Sequence, residues 1–155
     1  MPITRKISYI HILPVCFKRK GDKRMEKTKG YYSIIQYCPD FSRHEMVNVG
    51  VILLVPEKHF VAARTSKNNS RASKVFGQGS FDPARLNFAK SSIEKRLRID
   101  KDRLIKLEEF ERFADARGND LVITKPRPVR VAEPAQELGR LFSELVQHRE
   151  GRRNP

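Results

Sequence analysis

The fold class this sequence predicts is α+β: a mostly antiparallel sheet of about four strands with about three helices packed on it. Three observations carry that reading. Residues 45–55 read EMVNVGVILLV, the longest apolar run in the chain, rich in β-branched residues and stopped by Pro56-Glu57-Lys58. It is too short to span a bilayer and bounded by turn residues, so it predicts a buried central strand. Leu138, Leu141, Phe142, Leu145 and Val146 repeat at helical spacing, the clearest amphipathic stripe in the protein. The elements also come in the order strands, helices, strand and helix, which suits helices laid on an antiparallel sheet.

The chain has 155 residues, which predicts one domain, and its 39% hydrophobic content with 9 Phe and 4 Tyr can fill a core. Residues 1–24 are expected to be extraneous to it. Their apolar segment Ile7–Phe17 resembles a signal peptide, but His11 and Pro14 interrupt it and Lys18-Arg19-Lys20 follows in place of a small-residue cleavage site. Lys20-Gly21-Asp22 can be encoded by a purine-rich ribosome-binding stretch, so translation is expected to begin at Met25. Without the leader the formal net charge falls from +14 to +8.

From Met25 a domain over 25–148 is expected, then a basic tail over 149–155. Tyr31–Cys38 is aromatic and β-branched and ends at Pro39-Asp40, a first strand. Phe41–His44 leads into the central strand, and Pro56–His59 turns it back into Phe60–Arg64 as an antiparallel hairpin. Thr65–Ser73 is expected to be a polar loop. Asp82-Pro83 combines an N-cap carboxylate with proline at the first helical position. Leu86, Ala89, Ile93 and Leu97 then share one helical face. A second helix is predicted over Leu104–Arg117, with Leu107, Phe110, Phe113 and Ala114 inward and Gly118-Asn119 as its left-handed stop. Leu121–Thr124 begins a further strand; Pro126 and Pro128 must break its pairing, at an edge or bulge, before Val129–Val131 resumes it. The last helix starts near Pro134.

The positive charge favours polyanions (nucleic acid, an acidic partner or an anionic membrane surface) and says nothing about fold. Cys16 and Cys38 do not form a disulfide framework or a CxxC, and the four histidines have no ligand spacing. Neither a zinc site nor a membrane span is expected, and a reduced, cytoplasmic chain is.

Inside the central strand stand a carboxylate, an amide and a glycine that a purely apolar strand would avoid. They frame a candidate polar pocket of Glu45, Asn48, Gly50 and Arg127, in which a bulge at Asn48 or Gly50 brings the first residues together. The same residues also suit structural roles: a salt bridge for Glu45, a buried backbone partner for Asn48, relief of crowding at Gly50. Arg127, between prolines, can hold a carboxylate or phosphate, or pair with Glu45. Arg64, Lys67, Arg71 and Lys74 form either a phosphate-binding loop patch or a solvated loop. Asp40 with Glu45 outlines a two-carboxylate acid–base or metal centre, but no third ligand accompanies them. No catalytic residue, metal or cofactor is assigned, and Cys38 reads as a core cysteine.

Tyr32-Ser-Ile-Ile-Gln-Tyr-Cys-Pro-Asp40 and Glu45-Met-Val-Asn-Val-Gly-Val-Ile-Leu53 resemble the opening of the bacterial family called domain of unknown function 3037. Gly118–Val131, then Glu133-Pro134 and Leu138–Val146, are similar to its closing strand and helix, so the resemblance runs from about Tyr31 to Val146. The family has no established activity. The resemblance implies a small cytoplasmic protein, some of whose kin are encoded beside HipA-type kinases. On that basis a non-catalytic accessory protein binding a protein partner is expected, in a toxin–antitoxin-like pair. A basic nucleic-acid-binding protein and a metal-dependent nuclease or hydrolase are the alternatives.

Overall fold

A computed structural model describes residues 25–77, 79–116, 118 and 120–147. The expectations for residues 1–24, for the tail over 149–155 and for a left-handed Asn119 lie outside the described residues. Among the described residues there are five strands: β1 (Thr28–Tyr37), β2 (Val47–Val55), β3 (Phe60–Thr65), β4 (Leu121–Ile123) and β5 (Arg127–Val131). Five α-helices accompany them: α1 (Ser70–Phe76), α2 (Pro83–Ile99), α3 (Lys101–Leu104), α4 (Leu107–Asp115) and α5 (Pro134–Leu145). The α+β class with an antiparallel sheet therefore holds, with more elements than the sequence reading counted.

β1 and β2 form the middle of the sheet. β3 pairs with the far side of β2, and all the strand pairs are antiparallel. β4 lies opposite Ile35–Tyr37 and β5 opposite Thr28–Tyr32, end to end on the edge of β1 that β2 leaves open. The gap between them holds Pro126, which has no N–H to donate, whereas Pro128, expected to break the pairing as well, stands inside β5 opposite Tyr31 at the sheet's edge. Thr124 bridges the gap: Ile34 N donates to its Oγ1 at 2.9 Å, and its own N donates to Ile34 O at 3.0 Å.

Both faces of β2 are covered, which explains its unbroken apolar run. Val47, Val49, Ile52 and Leu54 face a core built with α2 and α4, while Val51, Leu53 and Val55 face α5. The switch from odd to even residues on one face requires an extra residue. Ile35 pairs with Gly50 but Gln36 with Asn48, so Val49 is bulged out of the count. Ile52, Leu53 and Leu54 are fully buried, each contributing about 1.5–3 kcal/mol of transfer free energy.

Asp82 caps α2 as expected, accepting from Ala84 N at 2.9 Å and Arg85 N at 3.2 Å. The α5 stripe also holds: Leu138, Leu141, Phe142 and Val146 are buried under β2 and β3.

Three boundaries differ. β2 begins at Val47, leaving Glu45 and Met46 exposed ahead of it. The stretch read as a loop over Thr65–Ser73 runs into α1, because Ala72 packs into the core and orders the turn. The helix expected over Leu104–Arg117 is split after Leu104 and its second part ends at Asp115; Asp120 beyond it is left-handed, at φ 62°.

Candidate anion-binding groove

The four residues of the expected pocket do not converge. Glu45 is exposed before β2, whose first residue pairs with Tyr37 at one end of β1. Arg127 is exposed opposite Tyr32, on the other edge of β1. Five residues of extended chain separate those positions by roughly 17 Å, so the pairing of Arg127 with Glu45 does not form. Gly50 is walled in: an added Cβ would lie 3.0 Å from Arg64 O, Ile35 Cδ1 and Thr65 Cγ2. It permits close approach of backbone and side chains rather than of a ligand. Asp40 is committed elsewhere, its carboxylate accepting from Ser42 N at 2.9 Å and Ser42 Oγ at 2.6 Å, which lowers its pKa. Cys38 is buried, and burial pushes its thiol pKa up. Among the described residues no three His, Cys, Asp or Glu side chains are placed to hold a metal ion.

Asn48 belongs to a different site. Its Oδ1 accepts from Gln36 Nε2 at 3.0 Å, and its Nδ2 donates to Leu145 O at 3.0 Å, closing a carbonyl at the end of α5. Beside it, the β3–α1 loop and α1 face the C-terminal end of α5 across a groove of about 1100 Å³. Arg64, Lys67, Arg71 and Lys74, the candidate phosphate contacts, all line this groove, and among the described residues no Asp or Glu does. All four side chains belong to exposed residues. Arg64 lies over the Phe142 ring at 4.7 Å, a cation–π contact that holds the guanidinium on the wall. Arg71 Nη1 donates to Val146 O at 2.7 Å and keeps the rest of its fork available. Among the described residues nothing hydrogen-bonds or ion-pairs with Lys67 or Lys74.

The side-chain amide oxygens of the groove are occupied from within. Every side-chain amide oxygen lining it already accepts: Asn48 from Gln36, Asn68 from Ser70 N and Oγ, Asn69 from Lys90 and Gln147 from Ser143. The four cations remain on offer, the complement of an anion rich in acceptor oxygens.

Lys90 is the residue the sequence reading missed. It is 3% exposed, and its Nζ donates to Ser66 O at 2.7 Å, Asn69 Oδ1 at 2.8 Å and Ser66 Oγ at 3.4 Å. Burial lowers its pKa, and Glu94 acts against that shift. The signal was available: Lys90 stands between Ala89 and Ile93 on the apolar face of α2, where a solvated lysine does not belong.

The chain matches the family model described as "Protein of unknown function (DUF3037)" over residues 32–146. It belongs to that family. No curated protein and no solved structure matches it.

Proposed function

We propose that this protein binds nucleic acid through the sugar-phosphate backbone, using the groove between α1 and the end of α5. One observation carries the reading: Arg64, Lys67, Arg71 and Lys74 share a groove that, among the described residues, no carboxylate lines. The mode is backbone contact rather than base reading. Phe142, the one aromatic among the described residues of the lining, is 4% exposed and covered by Arg64, so it offers no stacking surface. Duplex therefore suits the groove better than single strand. Three to four phosphate contacts give a log–log salt slope of about −3 to −4. Fluorescence anisotropy of a labelled DNA duplex, titrated from low to moderate salt, tests this. No binding at low salt, or binding unchanged by joint replacement of Lys67, Arg71 and Lys74 with Ala, overturns it.

A second reading is the accessory role beside a protein partner, a HipA-type kinase, that the family resemblance implies. Its support is the outer face of α2. Phe88 is 69% and Ile99 70% exposed, three helical turns apart on nearly the same side. Co-expression with such a kinase, followed by retention of the pair on a column, tests it. Loss of retention in Phe88→Ser with Ile99→Ser is expected, and failure of the unaltered chain to retain the kinase sinks it.

A further inference from the structure

We propose that Lys90 is a positioning residue of the groove: its buried ammonium draws the loop's acceptor oxygens inward and lends its charge to an anion bound beyond them. The inference rests on the anion-binding reading of the groove and adds a dependence on the protonation of one buried side chain.

Three features of the geometry carry it. First, the ammonium is satisfied by neutral oxygens only, two on Ser66 and one on Asn69, both of which line the groove. Second, among the described residues no carboxylate makes an ion pair with it. Glu94, one turn away on α2, is the carboxylate that acts on it electrostatically, and Glu94 Oε1 is itself engaged by Thr65 Oγ1 at 2.7 Å. The loop and the two elements it joins carry no carboxylate; their charged residues are Arg64 on β3, Lys67 in the loop, and Arg71 and Lys74 on α1. Third, Asn69 is pinned from both ends, its Oδ1 by Lys90 and its Nδ2 by Asn87 Oδ1 at 3.0 Å, so the loop has little freedom to turn its acceptors outward.

A buried ammonium on neutral partners is an expensive way to anchor a loop. A purely structural anchor would work with a neutral donor such as glutamine. The charge gains a purpose once an anion sits on the far side of the loop, where the interior screens it less than water would. By linkage, anion binding raises the affinity of Lys90 for its proton, and loss of that proton weakens anion binding by the same factor. Burial already moves the lysine below its ordinary range, which brings the transition to a lower pH than that of the exposed groove lysines.

The test uses the full chain and two probes, a labelled DNA duplex of about 20 base pairs and inorganic pyrophosphate. Lys90→Met is expected to weaken duplex binding about three- to tenfold. The salt slope should not change, because Lys90 touches no phosphate. Lys90→Arg, which keeps the charge, is expected to retain affinity within about twofold. The unaltered chain should lose affinity on the alkaline side, below the ordinary lysine range, along a limb that Lys90→Met lacks. Independently of any variant, the titration of Lys90 Cε followed by NMR is expected to shift upward when pyrophosphate is added. If Lys90→Met binds the duplex like the unaltered chain with the same alkaline limb, or if pyrophosphate leaves the Lys90 titration in place, the inference is overturned. If the duplex does not bind while pyrophosphate moves Lys90, the nucleic-acid reading fails and the anion role of Lys90 stands.

Discussion

The cations of the groove and those of the helix surfaces differ in what neutralises them. On the helices, Arg96 and Arg103 share Asp100, Arg112 pairs with Glu109, Arg140 with Glu137 and Glu144, and Arg85 with Asp120. Most are one turn apart on a single helix, half or more exposed, and local in effect. In the groove Arg64 rests on a ring, Arg71 on a carbonyl, and Lys90 on neutral oxygens beneath the loop. Two populations of equal formal charge thus have different fields. The total of +14 does not distinguish them; the second set lacks the carboxylate partners that screen the first.

The comparison breaks most directly if the two populations are removed separately. Replacing Lys67, Arg71 and Lys74 together with Ala should cut duplex affinity roughly a hundredfold and flatten the salt slope by about 3. Replacing Arg96, Arg112 and Arg140 together should change affinity less than about threefold, and equal losses from both sets would erase the distinction.

A second test strikes the scaffold under the groove. Gly50→Ala places a Cβ against Arg64 O and Thr65 and should cost about 1–3 kcal/mol in urea unfolding. Asn48→Ala, which frees Leu145 O at the groove's edge, should cost about 1–2 kcal/mol by the same measurement.

The buried lysine sharpens the contrast through pH. Its proton is held less tightly in the folded chain than in the unfolded one, so over the window just below the ordinary lysine value of 10.5 the unfolded state binds more protons. Stability contributed by Lys90 therefore rises with pH across that window. The stability of the unaltered chain relative to Lys90→Met is expected to improve as pH approaches 10.5, seen by thermal unfolding of both. Tyr37 works the other way in both proteins: burial raises its pKa above 10.0, so it withdraws stability as pH climbs past that value. The smallest effect belongs to the paired set, where Arg112→Ala should move stability by no more than about 0.5 kcal/mol.

Much of the fold was legible because its signals are local or periodic. The Asp82-Pro83 cap, the α5 stripe and the β2–β3 hairpin each depend on residues adjacent in sequence or on one face, and each is present. The interruption between β4 and β5 was likewise readable from the missing donor of Pro126. The loop read over Thr65–Ser73 failed because polarity there hides one inward residue, Ala72, whose burial holds a turn of helix.

The sequence by itself determined the sheet's central strand, the helix that covers one face of it, and the excess of base. It also singled out Asn48 and the four cations of the groove. Which polar residues meet was decided only in three dimensions. The pairing of β5 with the start of β1 carries Arg127 away from Glu45, while the crossing of α5 over β2 brings Asn48 and Val146 to the cations of α1. Such meetings depend on contacts between residues 75 to 97 positions apart, and no periodicity or short motif encodes them.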